Sequence, residues 1–463
     1  MPFLAPGCLI ADLSTPASAG PDAPSAPGLD PLAGCRILVG VSGSIAAVKV
    51  PLLVSSLVKR GAEVRCVVTE SAARLVSPVA LACLSRHPCY LDADQWSHHA
   101  SRPLHVALAE WADLVLVAPL SATSLARWCH GMADNLLASV LLACEAPVVA
   151  AAAMNTAMWA SAGAVRNWEQ LQAMPGVVPL DPGRGLLACD RRGDGRMAEP
   201  RELELALESV RLRGCQRDWD GLRLLVSAGP TLEPLDPARC LTNRSTGLMG
   251  VLLAQAARLR GATVDLVHGP LRVSPDLLGG LRLHPVETAE EMQAALMQLQ
   301  PQVQAIAMAA AVADHRRQTP CSEKLGKQDL EAFLATGWQA VPDLLAGLVE
   351  RRRHERSAGA SASTWAGQVI LGFAAQSGEA LAAGQAKWKR KGCDLLFVNP
   401  IDQPGSGFAS ERNQGWLLGV GPEPRRIDEA GKLAIAHQLL DALLALRPPE
   451  SGSDRRCPVA TDP

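Results

Sequence analysis

Two short segments carry residue types with little use in a packed core. Ala153-Met154-Asn155 places a carboxamide at the end of a run of small apolar residues. Farther along, Cys189 is a lone thiol in the Gly/Arg-rich stretch from Ala188 to Met197. An amide hydrogen-bonds a carboxylate without neutralising it, and a thiol beside Arg191, Arg192 and Arg196 has its thiolate form favoured. A site that must hold a carboxylate and deliver a proton uses both. A second concentration of chemistry lies in the lysines. Five of the eight lysines fall between Lys324 and Lys391 in a chain that otherwise uses arginine. Lys387 and Lys391 are spaced i,i+4, so they share a helix face that a polyphosphate can bridge. The ordinary alternative is a solvated charged face.

These groups need elements to position them. Cys35–Val41 is a β-branched apolar run ending in the turn Ser42-Gly43-Ser44, followed by a helical pattern over Ile45–Arg60 and a strand over Val64–Thr69. Leu114–Ala118 and Val148–Ala152 read as further buried strands. The same logic restarts at Leu222–Ser227, with a helix over Met249–Arg260 and strands at Thr263–Val267, Ala305–Ala310, Val369–Phe373 and Asp394–Val398. Continuous apolar strands alternating with helices predict parallel sheets covered on both faces. The fold expected is α/β, with two tandem Rossmann-like domains. These are a flavodoxin-like domain over 34–205 and a second over 221–448, with a linker at 206–220 and disordered tails at 1–33 and 449–463. Each domain has a small-residue turn before a helix, at Gly43-Ser44 and at Thr242–Gly250, and both suit a phosphate. Neither has the GxGxxG spacing, and Thr69 stands where a dinucleotide site carries its acid. That argues against a nicotinamide oxidoreductase.

Composition narrows the class. At 463 residues the chain is too long for one ordinary core. With 48% hydrophobic and 19% charged residues it is globular, and a net charge of −2 gives no nucleic-acid surface. The 13 cysteines include no CxxC pair, which suits a reducing cytoplasm rather than a disulfide framework or a zinc site. The run from Leu136 to Met154 is broken by Glu145 and Pro147, so no membrane span is expected.

The ordered set Gly43-Ser44, Val67–Ala72, His105, Glu110–Ser124, His130–Leu137, Ala153–Trp159 and Cys189 resembles the flavin-dependent cysteine decarboxylases over about 34–200. That resemblance implies FMN contacts at Gly43, Ser44, Thr69 and Ser121. It implies an active-site histidine at His105, substrate-carboxylate binding at Asn155, and a catalytic thiol at Cys189. Ala152 stands where the family has proline, and Asp190 where it has glycine.

Ser227–Pro237, Thr242–Gly250, Ala309–Asp314, Glu323-Lys324, Gly372–Ala375, Lys387, Lys391, Asp394 and Asn399 resemble phosphopantothenate–cysteine ligase over about 221–445. The fused bacterial form uses CTP. The resemblance gives Asn243 a role in handling the acyl-cytidylate and Lys324 in stabilising charge during activation. It makes Asp314, Lys324, Phe373, Lys387 and Lys391 contacts of CTP, with Asp314 near Mg2+. Leu248 replaces a usual lysine, Gln376 a glutamate and Val341 an asparagine.

Together these resemblances imply a cytoplasmic bifunctional enzyme of coenzyme A synthesis. It would ligate cysteine to 4′-phosphopantothenate and decarboxylate the product, with FMN and Mg2+ as cofactors and CTP as co-substrate. Its partners would be these small molecules, without nucleic acid or membrane, in a homo-oligomer built from trimers and dimers. A flavin-binding regulatory protein of the same fold, with one or both activities lost, is the alternative.

Overall fold

The computed structural model describes residues 30–97, 102–358, 365, 367–403, 407 and 410–447. The chain divides into two compact units after Gln216.

The strands of the first unit are β1 (Arg36–Val41), β2 (Glu63–Val68), β3 (Cys89–Tyr90), β4 (Leu114–Leu120), β5 (Val148–Ala152) and β6 (Val177–Leu180). They form one parallel sheet in the order β3-β2-β1-β4-β5-β6. Every residue of β4 and β5 is buried, which is why these strands read as unbroken apolar runs. The intervening helices are α1 (Val50–Lys59), α2 (Glu70–Ala73), α3 (Pro78–Ser85), α4 (Leu104–Trp111), α5 (Ala122–Cys129), α6 (Leu136–Ala143), α7 (Thr156–Trp159) and α8 (Ala162–Gln172). On one face, Leu125, Leu136, Val140, Trp168 and Leu171 pack onto Leu38, Val115 and Ala150. Each fully buried aliphatic or aromatic side chain contributes about 1.5–3 kcal/mol. A hairpin of β7 (Gly183–Leu186) and β8 (Arg192–Arg196) follows the sheet.

Two boundaries differ from the sequence reading. Residues 206–213, expected within the linker, belong to helix α9 (Pro200–Arg213). Its charges look solvated in sequence, but Leu203, Leu205, Ala206, Leu207 and Val210 are buried. Its acidic residues are taken up by arginines: Arg60 pairs with Glu208 at 2.5 Å, and Arg201 with Glu204 at 2.9 Å. The connection therefore begins only at Gly214, whose φ of 72° stops the helix. Residues 30–33, expected in the tail, form a turn with Leu32 fully buried, and Asp30 receives two 2.8 Å hydrogen bonds from Arg60. The rest of the N-terminal segment and the tail at 449–463 lie outside the described residues.

The second unit contains β9 (Arg223–Ala228), β10 (Leu232–Asp236), β11 (Arg239–Thr242), β12 (Thr263–His268), β13 (Arg282–Pro285), β14 (Ala305–Met308), β15 (His315–Arg317), β16 (Trp338–Ala340), β17 (Val369–Gln376), β18 (Leu395–Pro400), β19 (Arg412–Leu418) and β20 (Arg425–Gly431). Its main sheet runs β13-β12-β9-β14-β17-β18-β19-β20, parallel up to β18. Strands β19 and β20 extend it antiparallel, an addition that the repeated βαβ pattern does not foresee. Helices α10 (Leu248–Leu259), α11 (Ala289–Leu299), α12 (Lys327–Ala335), α13 (Leu344–Ser357), α14 (Ala380–Lys391) and α15 (Lys432–Ala445) complete the unit. Residues of α11, α13 and α14 pack on one face with Ile306, Ile370 and Leu396. Helices α10 and α15 pack on each other. Among the described residues no helix is long and apolar enough to cross a membrane; the Leu136–Met154 run is α6 followed by β5.

Candidate active sites

In each sheet the chain winds outward in both directions from one pair of neighbouring strands, β1 and β4 in the first unit and β9 and β14 in the second. Loops leaving the carboxyl ends of such a pair diverge and open a crevice. Both candidate sites lie there.

In the first unit the crevice is fastened by Ser42. Its Oγ donates to Pro119 O at 2.7 Å and accepts from Ser121 N–H at 2.8 Å, tying the end of β1 to the end of β4. Gly43 and Ser44 lead into a 3-10 turn over Ile45–Lys49. A Cβ at Gly43 would lie 2.6 Å from Ser71 Cβ, so only glycine lets these loops meet. Thr69 caps α2, accepting from Ala72 N–H at 3.4 Å, and Ser121 caps α5, accepting from Ser124 N–H at 3.4 Å. Gly43, Ser44, Thr69 and Ser121 thus share one edge, lined by hydroxyls and the first N–H groups of helices.

Asn155 follows β5 on the same edge. Its Oδ1 accepts from Ala157 N–H at 2.8 Å, which caps α7, and its Nδ2 donates to Cys189 Sγ at 3.1 Å. The thiol is exposed, at the tip of the β7–β8 hairpin. The tip is shaped by Leu187 N–H donating to Arg191 O at 2.9 Å and by Asp190 at φ 60°. The hairpin lies against the Asn155 segment: Met154 N–H donates to Gly195 O at 3.1 Å, and Gly193 faces the buried, unpartnered Oγ1 of Thr156. Arg196, expected beside the thiol, instead pairs with Glu199 at 2.8 Å, which also receives Lys49. His105 is half-buried in the first turn of α4 and makes no hydrogen bond to the Asn155–Cys189 pair.

In the second unit a cavity of about 580 Å³ sits over the carboxyl edge. On one side it is lined by the turn Ser245–Gly250 entering α10. Gly247, at φ 81°, packs so closely against Gly229 that a Cβ would sit 3.2 Å from Gly229 N. Asn243 lines it and donates through Nδ2 to Ala311 O at 2.9 Å. Asp314 and Phe373 line it as well. Opposite stand Lys387 and Lys391 of α14. Lys387 Nζ donates to Phe373 O at 3.4 Å, and burial, with Lys391 nearby, holds its ammonium below the usual lysine range. Lys391 pairs with Asp343; burial alone would raise that carboxyl, but the lysine and Ala346 N–H hold it low.

Lys324 is exposed, in the loop between β15 and α12, and does not line the cavity. That loop is fastened elsewhere, with Cys321 N–H donating to Leu235 O and Leu325 N–H to Asp236 Oδ2 at 3.2 Å. Among the described residues no three acidic, histidine or cysteine side chains gather as a metal cage. Asp314 and Asp343 are the carboxylates of the cavity wall.

Two family models divide the chain as the fold does. Residues 27–209 match the flavoprotein family, and residues 219–446 match the DNA/pantothenate metabolism flavoprotein C-terminal domain. The coenzyme A biosynthesis bifunctional protein CoaBC of Bacillus subtilis (strain 168) is 34% identical over 412 residues, covering 89% of this chain and 97% of that protein. The chain belongs to this bifunctional coenzyme A biosynthesis family. The protein of the same name from Escherichia coli (strain K12) is 37% identical over 386 residues, 82% of this chain and 90% of that one. A solved PPC decarboxylase mutant complexed with pantothenoylaminoethenethiol is 34% identical with a TM-score of 0.35, covering 38% of this chain and 96% of that one.

As a member of the family the chain is a bifunctional enzyme, a flavoprotein decarboxylase domain followed by a ligase domain. In the decarboxylase domain, sequence reasoning passed over Ser42, whose bonds hold the crevice shut at its base. A serine ending a strand carries no signal of that role. In the ligase domain it passed over Lys432, which lines the cavity at the start of α15 and is only 3% exposed. That residue lies far in sequence from the other lysines, so no spacing links it to them.

Proposed function

We propose that the ligase domain joins cysteine to 4′-phosphopantothenate at the expense of CTP, and that the decarboxylase domain converts the product to 4′-phosphopantetheine. The contact of Asn155 Nδ2 with Cys189 Sγ carries the decarboxylase reading. Two residues from distant segments meet at the mouth of the crevice, one able to grip a carboxylate and one able to give up a proton. Asn155 orients the cysteinyl carboxylate by hydrogen bonding without adding positive charge, so loss of CO2 is not opposed. Cys189, on the hairpin above it, protonates the product, and His105 moves a proton on the same edge. The donor set of Gly43, Ser44, Thr69 and Ser121 fits the phosphate and ribityl hydroxyls of FMN. Bound there, the flavin supplies two-electron chemistry that the side chains lack.

In the ligase domain the phosphopantothenate carboxylate attacks the α-phosphate of CTP, giving an acyl-cytidylate and pyrophosphate. The cysteine amine then attacks the activated carbonyl and releases CMP. Lys387 and Lys391 face the triphosphate, Phe373 lies beside the nucleotide, and Asn243 holds the acyl group. Asp314 meets Mg2+ that the phosphates bring with them, since magnesium often uses one or two carboxylates together with substrate oxygens. Lys324 reaches this site only if its loop closes over the bound nucleotide. Exposed Ile45, Val48 and Leu52, just after the Gly43-Ser44 turn, suit burial against another copy and support a homo-oligomer, read as trimers joined through ligase dimers; the absence of any CxxC pair among the 13 cysteines supports a cytoplasmic location.

Purified protein tests the reading. Incubated with 4′-phosphopantothenate, cysteine, CTP and Mg2+, a yellow preparation is expected to yield pyrophosphate, CMP, CO2 and 4′-phosphopantetheine. A colourless protein forming none of these would favour the regulatory alternative. ATP outperforming CTP would sink the nucleotide assignment.

A further inference from the structure

Lys49 is one of two lysines before residue 324, and the chemistry described above gives it no part. It ends the 3-10 turn that Gly43 and Ser44 enter, so its position follows that of the flavin turn. Its ammonium donates to both carboxylate oxygens of Glu199, at 2.7 and 2.6 Å. Glu199 stands at the start of α9, yet its side chain does not cap that helix. The same carboxylate instead receives Arg196 at 2.8 Å. Arg196 is the last residue of β8, and its side chain lies across β7: a Cβ at Gly185 would stand 2.7 Å from Arg196 Cδ. The guanidinium therefore bears on both strands of the hairpin whose tip carries Cys189.

One carboxylate thus joins two elements far apart in sequence, the turn suited to the flavin phosphate and the hairpin that carries the thiol. The hairpin also rests on the Asn155 segment, with Gly195 O accepting from Met154 N–H at 3.1 Å and Gly193 packed on Thr156. Charge-assisted bonds of 2.6–2.8 Å resist separation, so a shift of Lys49 is passed through Glu199 to Arg196. A turn fixed by a bound phosphate fixes Lys49 with it. Resting on the decarboxylase reading above, we propose that Glu199 is a positioning residue that couples the flavin turn to the β7–β8 hairpin, so that FMN binding seats Cys189 on Asn155. The thiol is then held beside the carboxamide in the loaded domain and less firmly in the empty one. Such a coupling is reciprocal, so a seated hairpin strengthens flavin binding by the same factor.

Hydrogen exchange of the full chain, stripped of FMN and then reloaded, tests this. The Met154 amide reports seating directly, because its hydrogen bond to Gly195 O exists only while the hairpin is down. In wild type, FMN is expected to slow its exchange by about fivefold, the low end of coupling between sites. That end suits ion pairs whose side chains are 28–43% exposed. In Glu199→Gln, saturated with FMN as followed by absorbance, the slowing should fall below about twofold. Equal slowing in the variant overturns the proposal, and so does none in wild type. A merely structural glutamate would speed exchange alike with and without FMN and leave their ratio unchanged, which also overturns it. Wild-type protein that takes up no FMN would instead sink the decarboxylase reading. If Glu199→Gln does not fold, Arg196→Met decides. Its dissociation constant for FMN should rise by the factor seen for wild-type exchange, and an unchanged constant overturns the coupling.

Discussion

Gly193 offers a direct way to ask whether the β7–β8 hairpin places the thiol. A methyl group there would stand 2.5 Å from Thr156 Oγ1, 2.9 Å from its Cγ2 and 3.2 Å from its Cβ. Ordinary contacts settle at ~3.5 Å, so the hairpin must lift by roughly 1 Å. Thr156 cannot swing aside cheaply, because the three atoms of its β-branched side chain all crowd the new group. The displaced strand carries Cys189 away from Asn155, and a shift of ~1 Å in a reacting group costs on the order of 100-fold in rate. Gly193→Ala is therefore expected to cut formation of 4′-phosphopantetheine from 4′-phosphopantothenoylcysteine by about 100-fold. Pyrophosphate release by the ligase domain of the same polypeptide should not change, which provides an internal control. Gly183→Ala on the same hairpin is the matched control, since its Cβ meets nothing closer than Arg196 O at 3.9 Å. Formation of 4′-phosphopantetheine by Gly193→Ala within twofold of wild type would refute the idea that hairpin seating positions the thiol. An equal loss in Gly183→Ala would show general loosening instead.

Ser42→Ala removes the bond that Ser121 N–H makes to Ser42 Oγ, while Pro119 O keeps Ser42 N–H at 3.2 Å, so a loss of about 2 kcal/mol in urea unfolding and weaker FMN retention by absorbance are expected. Arg60→Ala strands Glu208 and Asp30 in a largely buried network and should destabilise the decarboxylase domain by about 3–5 kcal/mol, read from its calorimetric transition. Burial alone would raise the Asp265 carboxyl, but Arg223 Nε at 2.7 Å and His284 hold it below the ordinary 3.8. A depressed folded value means this stabilisation is complete above about pH 4 and disappears as pH falls through the folded value. Denaturant midpoints of Asp265→Asn should accordingly lose part of the acid-side decline that wild type shows.

The strands flanking both crevices were legible because they are buried on both faces, leaving little but apolar residues to write them. β19 and β20 were not, since Arg412-Asn413-Gln414 and Arg425-Arg426 give an edge hairpin the look of a polar loop. The charged helix ending at Arg213-Gly214 is legible as a helix, but the linker boundary at 206 cuts through it, because its glutamates look solvated until Arg60 and Arg201 are seen to meet them. The decarboxylase motifs are readable in order, and the fold brings together the last two of them, Asn155 and Cys189, across a separation of 34 residues. In the ligase domain the i,i+4 lysines share the cavity as their spacing suggested. Sequence order could not say which way the Lys324 loop folds, because its anchors, Leu235 and Asp236, lie in a distant hairpin.

The Arg60 network has a consequence for the chain's history. By gripping Asp30 at one end and Glu208 at the other, Arg60 joins the decarboxylase domain's opening turn to its final helix. The hydrophobic core is closed before Gly214, and the ligase sheet begins its own count at Arg223. A stop codon and a new start between Gly214 and Arg217 would divide no strand and would leave Asp218 with the buried Arg260 that it pairs with. The two enzymes are thus cassettes, separable into two genes or fused into one by a change confined to a few codons.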